Sequence, residues 1–367
     1  MNILLIDNSV AFTGAFKCAL NEAELLSSEH RFVFILPHNS TAHTYLEEKG
    51  IKYYRLRMPE ISKSLALLLY PIFLFINIVR TRNIVHKEKI EVIQCNDFYN
   101  LIGAGLKLSG YRGKLITYVR FMPSAIPSPL RNLWTSIAQR YSNSVIAVSD
   151  AVLKQLPQKD NTVRLYDPAN LTENITSPHR NDKTIQLLYL SNYIHGKGQD
   201  YALEAFIRAY TQNPDLRLKF TGGDMGLEKN KQFRNSLEQK ARELVNKGII
   251  CFTPFNSNVE AEIKAADIVL NFSNSESLSM TCLEASYYGT PVIATKCGGP
   301  EEVIEHNRTG LLVPVADIDA MTMAILELSA DNNKRQAFAQ TGRDYVRNKF
   351  SADMFITNFN NILKSKS

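Results

Sequence analysis

Short apolar runs alternate with longer amphipathic stretches along the first half of the chain. This alternation predicts strands separated by helices, and strands that alternate with helices are typical of βαβ units in a mostly parallel sheet. The predicted strands of this half are Asn2–Asp7, Arg31–Leu36, Ile51–Leu56, Glu91–Cys95, Lys114–Val119 and Ser144–Val148.

The same pattern restarts in the second half, after the polar and poorly periodic stretch Asp167–Lys183, which we interpret as a linker. The predicted strands here are Ile185–Leu190, Leu216–Phe220, Ile249–Phe252, Ile268–Phe272, Pro291–Ala294 and Leu311–Val313. We therefore predict an α/β protein with two Rossmann-like domains, residues 1–170 and 171–345. Residues 346–367 are expected to form a C-terminal helix that packs back on the first domain.

Composition agrees with a two-domain globular protein. The chain has 367 residues, of which 45% are apolar, enough to form two cores. Its five cysteines are scattered without a C-x-x-C pair, which argues against a disulfide framework or a zinc site and fits a reducing compartment. The opening MNILLID has no basic region and is not typical of a signal peptide.

Charge is unevenly distributed between the two halves. Residues 1–170 contain 20 Lys and Arg against 13 Asp and Glu, whereas residues 171–367 contain 22 against 23. A basic first half suits an anionic partner such as a membrane surface or a lipid diphosphate. A solvated basic face is the alternative interpretation.

One apolar segment, Ser64–Val79, raises the question of membrane contact. It has 16 residues and contains Pro71, so it is shorter than the roughly 20 apolar residues of a membrane-spanning helix. A buried or half-buried helix of the first domain is one interpretation, and a helix lying in the membrane interface is another. A true membrane span is the third.

The chemistry-bearing residues concentrate between Asn271 and Pro314. Glu276 and Glu284 have E-x7-E spacing around a predicted helix start, and the two oxygens of a carboxylate match the two hydroxyls of a vicinal diol. A capping box, Thr281-x-x-Glu284, is the alternative for the second glutamate. Lys197 lies between two glycines in HGKGQD, after a predicted strand, and is a candidate cation for a phosphate group or else a solvated loop lysine.

The E-x7-E pair, Lys197-Gly198, Gly289-Thr-Pro-Val and Gly298-Gly-Pro-Glu occur in an order that resembles the retaining enzymes of glycosyltransferase family 4. The resemblance implies the GT-B fold, in which two Rossmann-like domains face each other across a cleft. It also implies a nucleoside-diphosphate sugar donor and no metal ion. By the same resemblance, Lys197 contacts the diphosphate, Glu276 the transferred sugar and Glu284 the ribose. The backbone of Ser277, Leu278, Ser279 and Met280 then faces the phosphate and sugar.

The chain departs from the family pattern at several positions. Ser191-Asn192 stands where the family usually has Gly-Arg, so Asn192 can donate a hydrogen bond there but supplies no charge. Gly14 alone corresponds to the family's first glycine-rich loop. Arg120 stands where many members have a histidine, and we predict that it binds an acceptor phosphate or the donor diphosphate. Asp97 is the candidate that positions or deprotonates the acceptor hydroxyl. Loop capping is the alternative for these last two residues.

We therefore expect a retaining, metal-independent glycosyltransferase that moves a hexose or N-acetylhexosamine onto a glycan acceptor. The acceptor is expected to be lipid-linked, in the biosynthesis of a surface polysaccharide such as O-antigen, lipopolysaccharide or capsule. The expected location is cytoplasmic, in peripheral contact with the anionic inner membrane, without nucleic acid or cofactor. The alternatives are a nucleotide-sugar epimerase of the same architecture and a non-catalytic nucleotide-sugar-binding subunit. We interpret Asp317-Ile-Asp319 as helix capping and not as a metal ligand pair.

Overall fold

The computed structural model describes residues 1–58, 69–169, 171, 183–256 and 258–365. The chain divides into two compact units. Unit 1 comprises Met1–Asn170 and Ala352–Ser367, and unit 2 comprises Leu171–Ser351. Each unit is an α/β domain built on its own parallel sheet.

Within the described residues, unit 1 contains a seven-stranded sheet of order β3-β2-β1-β4-β5-β6-β7, in which every neighbouring pair is parallel. The central strands are buried on both faces and consist of apolar runs, as helix-covered parallel sheets require. The strands are β1 (Asn2–Ile6), β2 (Arg31–Pro37), β3 (Lys52–Leu56), β4 (Val92–Cys95), β5 (Lys114–Val119), β6 (Ser144–Ala147) and β7 (Thr162–Arg164).

Helices connect these strands, and the last helix of the chain returns to unit 1. The connecting helices are α1 (Gly14–Leu25), α2 (His43–Glu48), α3 (Tyr70–Glu88), α4 (Ile102–Leu108), α5 (Ser128–Tyr141) and α6 (Asp150–Leu153). The C-terminal helix buries Phe355, Phe359 and Leu363 on one face. Asn360 of that helix contacts the imidazole of His30, just before β2, at 3.0 Å, which ties the C-terminal helix to unit 1.

Unit 2 contains a six-stranded parallel sheet of order β10-β9-β8-β11-β12-β13. Its strands are β8 (Ile185–Leu190), β9 (Leu216–Thr221), β10 (Ile250–Thr253), β11 (Ile268–Asn271), β12 (Val292–Thr295) and β13 (Gly310–Val313). Its helices are α7 (Gln199–Tyr210), α8 (Glu228–Lys240), α9 (Arg242–Asn246), α10 (Val259–Lys264), α11 (Met280–Tyr288), α12 (Pro300–Val303), α13 (Ile318–Ala330) and α14 (Asn332–Lys349). The C-terminal helix of unit 1 is α15 (Ala352–Lys364).

Strand order reverses once in each sheet. In unit 1 the chain adds strands outward from β1 on one side and from β4 on the other, and in unit 2 the same happens at β8 and β11. Loops that follow two such strands diverge and leave a crevice at the carboxyl edge, where open α/β sheets bind ligands. The fold therefore marks one candidate ligand edge in each unit.

The predicted pair of Rossmann-like α/β domains is confirmed, and so are the twelve predicted strands to within a residue or two at their ends. Strand β7 and helices α2, α5, α6, α8, α9 and α14 were not predicted. Most of the predicted linker Asp167–Lys183 lies outside the described residues. The apolar segment Ser64–Val79 also lies partly outside them, and the helix that the structure shows there begins at Tyr70 and continues to Glu88.

Helix α3 is half-buried, which agrees with the first interpretation of this segment: Ile84 and Val85 are buried on one of its faces. Five large apolar side chains at or near its first half are exposed to solvent: Leu69, Ile72, Phe75, Ile76 and Val79. Among the described residues, no helix combines the length and the apolar character needed to cross a bilayer.

Candidate functional site

The candidate site of unit 2 lies where its strand order reverses. Lys197 follows β8 and Glu276 follows the neighbouring strand β11. The Lys197 ammonium nitrogen Nζ lies 2.8 Å from Oε1 of Glu276. The two side chains are 32% and 14% exposed, so the pair is partly buried but reachable. The structure therefore brings together a cation and a carboxylate that are 79 positions apart in the chain.

The loop that carries Lys197 is held by glycine conformation and by a tyrosine. Gly198 has φ +79° and precedes α7, and a Cβ atom at this position would collide with the carbonyl group of Phe272. The Tyr189 hydroxyl donates to the Lys197 carbonyl oxygen and accepts the Phe272 N–H at 2.9 Å. The loop after β8 is thereby fixed against the end of β11 before any ligand binds.

Glu276 is oriented by its neighbours in the loop after β11. The Ser273 hydroxyl donates to Oε1 of Glu276 at 2.7 Å, the same oxygen that binds Lys197. Among the described residues both contacts use Oε1, which leaves Oε2 to accept from a ligand hydroxyl. The Glu276 N–H donates to the Cys297 carbonyl oxygen at 3.2 Å and its carbonyl oxygen accepts the Gly299 N–H at 2.8 Å, so the loop after β12 supports this residue.

The loop that contains Gly298 and Gly299 forms a tight turn between strand β12 and helix α12. Gly298 has φ +115°, and its N–H donates to the carboxylate of Glu301 at 2.7 Å. A Cβ atom at Gly299 would lie 2.5 Å from the Cα of Leu278, so only glycine allows this close approach. Glu301 and both glycines therefore have a visible role in building the turn.

Helix α11 does not begin at Thr281, as a capping box of Thr281 and Glu284 would require. Its N-cap is Ser279, whose hydroxyl accepts the Cys282 N–H at 3.3 Å and the Asn271 amide at 2.8 Å. Thr281 lies inside the helix, and its hydroxyl donates to the Leu190 carbonyl oxygen at 3.2 Å. The capping-box interpretation of Thr281 and Glu284 is therefore wrong. Glu284 is buried in the second turn of the helix.

The remaining donor-side candidates surround this helix start. Leu278 is buried, whereas Ser277 and Met280 are partly exposed beside Glu276 in the chain. Met280 is the first residue of α11, where backbone N–H groups lack helical acceptors and favour an anion. Asn192 uses its side-chain oxygen to accept the Gly223 N–H at 3.1 Å, which joins the loops after β8 and β9. The oxygen of this amide therefore has a structural partner.

The carboxyl edge of unit 1 contains a buried polar network centred on Arg120. Arg120 follows β5, and its guanidinium donates to Asp167, to Glu22 Oε2 at 3.2 Å and to Asn96 Oδ1 at 2.6 Å. Asn96, which follows β4, donates in turn to Asp7, which follows β1. The network therefore links the ends of three adjacent strands with helix α1.

This network overturns the prediction that Arg120 binds a phosphate directly. Its side chain is 2% exposed and is enclosed by two carboxylates, so a phosphate contact would require breaking buried ion pairs. Although burial opposes its charge, Asp167 and other neighbours raise the pKa of Arg120 above its usual range. Burial raises the pKa of Glu22 to about 7, against the attraction of Arg120. Oε1 of Glu22 has no hydrogen-bond partner among the described residues, which agrees with a raised pKa of this carboxyl group.

Asp97 lies next to this network but is partly exposed. Burial raises its pKa to about 7, against hydrogen bonds from the backbone N–H groups of Phe98 and Arg120. A carboxyl group with a pKa near neutrality is suited to general base chemistry.

Gly14 is the first residue of α1 and directly follows the N-cap Thr13. A Cβ atom added to Gly14 would meet no other atom within 4 Å.

Two other sequence interpretations can be placed in unit 2. Asp317 caps α13, because its side chain accepts the Ala320 N–H at 2.9 Å, and Asp319 pairs with Arg208 at 2.7 Å. The capping interpretation is confirmed for Asp317, whereas Asp319 lies in the first turn of α13 and forms an ion pair. Among the described residues, no group of three or more His, Cys, Asp or Glu side chains is placed to hold a metal ion.

Comparison with known proteins finds a family model that resembles most of unit 2. Residues 172–345 match the family model described as "Glycosyl transferases group 1". The chain is 27% identical over 228 residues to an alpha-1,3/1,6-mannosyltransferase ALG2 of Rhizomucor pusillus, covering 52% of this chain and 50% of the relative. It is 28% identical over 133 residues to the lipopolysaccharide core biosynthesis glycosyltransferase LpsE of Rhizobium meliloti (strain 1021), covering 36% and 39%.

The whole chain resembles solved structures in fold. Anabaena Alr3699/HepE in complex with UDP-glucose superposes with a TM-score of 0.84, 20% identity and complete coverage of both chains. At this identity the likeness shows the fold alone, and the chain spans about half the length or less of the two curated relatives named above. The predicted fold is confirmed, and the family model matches residues 172–345, whereas the activity stays a prediction. Retention, metal independence and the acceptor stay predictions.

Sequence reasoning missed the residues that support the site. Ser273 and Tyr189 orient Glu276 and Lys197, but a serine and a strand tyrosine have no distinctive spacing. Glu22 was detectable, because it lies on the face of α1 that also buries Cys18 and Ala19, where an unpaired carboxylate is unfavourable.

Proposed function

We propose that this protein is a retaining glycosyltransferase that uses a nucleoside-diphosphate sugar as donor. The observation that carries the proposal is the Lys197–Glu276 pair at the strand-order reversal of unit 2. A diphosphate leaving group needs a cation and backbone N–H groups, and the loop containing Lys197 and the start of α11 supply both. Oε2 of Glu276 is suited to accept from a hydroxyl of the transferred sugar.

In the proposed reaction the acceptor hydroxyl oxygen bonds to the anomeric carbon as the bond from that carbon to the phosphate breaks. The departing phosphate oxygen takes the acceptor proton on the same face of the sugar, and configuration is retained. Lys197 offsets the negative charge that develops on that phosphate. The step needs no metal ion in this proposal, so activity should persist when a chelator is present.

The proposed acceptor is a lipid-linked glycan of a surface polysaccharide, reached at the cytoplasmic face of the inner membrane. Support comes from the basic first half of the chain and from the exposed apolar side chains of α3. The LpsE relative is named for lipopolysaccharide core biosynthesis, which makes O-antigen and core acceptors the first to test.

A panel of UDP-, GDP- and dTDP-sugars tests the proposal. Ligand-dependent thermal shifts identify the donor, because a ligand at 100 times its dissociation constant stabilises by about 2.7 kcal/mol. Donor hydrolysis and transfer are then measured with and without chelator, and the anomeric configuration of the product is determined by NMR. An inverted product, or complete dependence on added metal, contradicts the proposed mechanism.

A non-catalytic nucleotide-sugar-binding subunit is the second candidate. It is favoured by one observation: Asn192, which stands where the resemblance implies an arginine, carries no charge, and its side-chain oxygen accepts the Gly223 N–H. Tight donor binding without hydrolysis or transfer to any acceptor would establish this candidate. A nucleotide-sugar epimerase would instead change the sugar of its donor without an acceptor, and analysis of the recovered nucleotide sugar detects that outcome.

A further inference from the structure

Several of the exposed apolar residues of unit 1 lie on two helices, α3 before β4 and α5 after β5. Ile72, Phe75 and Ile76 recur at helical spacing and share the solvent-facing side of α3. Phe75 is 68% exposed and Ile72 is 57% exposed, which is unusual for large apolar side chains placed together on one helix. Leu130 and Leu133 are exposed in the same way on the first turns of α5. We call these five residues the apolar rim.

The apolar rim lies at the carboxyl edge of the unit 1 sheet. Asn77 in α3 donates to the carbonyl oxygen of Arg57, one residue beyond the carboxyl end of β3, at 2.9 Å. Residues of α3 that precede Asn77 therefore reach that edge or extend past it. Helix α5 begins after the carboxyl end of β5, and its Trp134 contacts Phe98 in the loop after β4, with ring centroids 6.3 Å apart. Both parts of the rim thus share an edge with Asp97.

The helices that carry the rim have a strongly basic composition. Helices α3, α4 and α5 contain six Lys and Arg residues and one acidic residue, Glu88. Glu88 is buried and bound to Arg31, Lys52 and Tyr54, so its charge is already compensated. The sequence contains no Asp or Glu between Glu60 and Glu88 or between Asp97 and Asp150. The exposed stripe of α3 is apolar in its first turns and basic near its end, at Arg82 and Lys87.

We propose that this surface docks on an anionic lipid leaflet, with the apolar rim inserted among the acyl chains and the basic ends of the helices at the headgroups. Shallow insertion of apolar side chains together with basic residues is the pattern of proteins that lie in the membrane interface. A second copy of the chain is a poorer occupant, because a symmetric contact would bring two basic surfaces together. The docking places the edge that holds Asp97 next to the lipid.

The proposed binding to lipid does not depend on the proposed function. Its role in presenting the acceptor rests on the proposed function. If the acceptor is lipid-linked, its glycan emerges from the leaflet beside the carboxyl edge of unit 1. Vesicle binding and sugar transfer are therefore measured separately, so that failure of one can be told from failure of the other.

The first experiment measures co-sedimentation of the full chain with vesicles of phosphatidylcholine, with or without phosphatidylglycerol. Wild type should bind the anionic vesicles, and added salt should weaken the binding. The double variant Phe75→Glu, Ile76→Glu should lower the partition coefficient at least about 10-fold, because it replaces inserted apolar groups by charges repelled from the leaflet. Met323→Glu is the matched control, since Met323 is 69% exposed on α13 of unit 2.

Equal binding of wild type and the double variant, or no binding of wild type, would overturn the proposal. So would a change of the double variant from dimer to monomer in size-exclusion chromatography with light scattering, which would show that a second copy covers this face. Both variants should keep their thermal stability and their donor hydrolysis.

The second experiment uses the single tryptophan of the chain, Trp134. It lies in α5 beside Leu133, so brominated acyl chains, which quench only at short range, should reduce its emission when the protein binds vesicles. Vesicle binding without any quenching would remove α5 from the docking surface and contradict the two-helix rim.

Discussion

Replacement of Lys197 by alanine tests the site most directly. A unit charge about 4 Å from a phosphate is worth about 4 kcal/mol at the effective dielectric constant near a protein surface. Lys197 is about one-third exposed and already faces Glu276, so we reduce this value to about 3 kcal/mol. At 1.36 kcal/mol per factor of ten, kcat/KM for sugar transfer should fall about 10²-fold.

The effect on folding should be much smaller than the effect on catalysis. Because both members of the Lys197–Glu276 pair retain access to solvent, the loss of the pair should cost about 1 kcal/mol of unfolding free energy or less. Lys240→Ala is the matched control, because it removes another Lys–Glu pair of unit 2, with Glu204 at 2.9 Å. That pair joins α7 to α8, away from the strand-order reversal.

The assay is initial-rate transfer with the donor found by thermal shift, followed for wild type and both lysine variants, with urea unfolding measured in parallel. Lys197→Ala should lose about 10²-fold in kcat/KM at nearly unchanged stability, and Lys240→Ala should keep the wild-type rate. A Lys197→Ala enzyme within about threefold of wild type would refute the placement of the diphosphate at this lysine.

Two further predictions concern stability. Arg120→Met leaves Glu22 and Asp167 buried without their cation and should lower the free energy of unfolding by about 3–5 kcal/mol in a denaturant titration; a loss below about 1 kcal/mol would contradict the network. Hydrogen bonds from Lys52, Tyr54 and Arg31 lower the pKa of Glu88 to about 2. Its contribution to stability is therefore present above the unfolded pKa near 4.5 and is lost as the pH falls towards 2. Thermal unfolding of Glu88→Gln should show a shallower acid dependence between about pH 5 and pH 3 than wild type, and identical curves would contradict the assignment.

The architecture was largely predictable because parallel strands buried on both faces have a simple sequence signature. The run IQLLYL of β8 and the run VIAT of β12 contain almost nothing polar, and turn residues follow each. Helices α8 and α14 were harder to predict, because many of their residues are charged and few are buried: Phe233 and Leu237 in α8, and Phe338 and Val346 in α14. A sparse apolar stripe gives a weak periodic signal.

The residues of the candidate site could be predicted where they follow a strand and lie near a glycine turn. Lys197 and Glu276 were assigned from such positions, and the structure brings them into contact. Arg120 was misjudged for a different reason. Its position after a strand was correct, but its partners Glu22 and Asp167 lie 98 and 47 positions away and meet it only through the tertiary fold. No local sequence pattern predicts whether a charged residue will form an ion pair with a distant residue in the interior.

Asp97 offers a prediction that separates two routes for the acceptor proton. Burial raises its pKa to about 7, so its carboxylate form increases as the pH rises through neutrality. If Asp97 accepts the proton, kcat/KM should rise about tenfold per pH unit below about pH 7 and level above it, and Asp97→Asn should remove the dependence together with about 10²-fold or more of the rate. If the departing phosphate accepts the proton, the wild-type profile should be nearly flat from about pH 6 to pH 8, and Asp97→Asn should alter mainly the acceptor KM.

Asn96→Ala is unsuitable as a control, because Asn96 joins Arg120 to Asp7. Asp150→Asn serves instead, since Asp150 begins α6 and pairs with Arg164 on the surface of the same unit. A sloping profile that survives in Asp97→Asn would exclude Asp97 as the titrating group and leave the pH dependence to another residue or to the substrate.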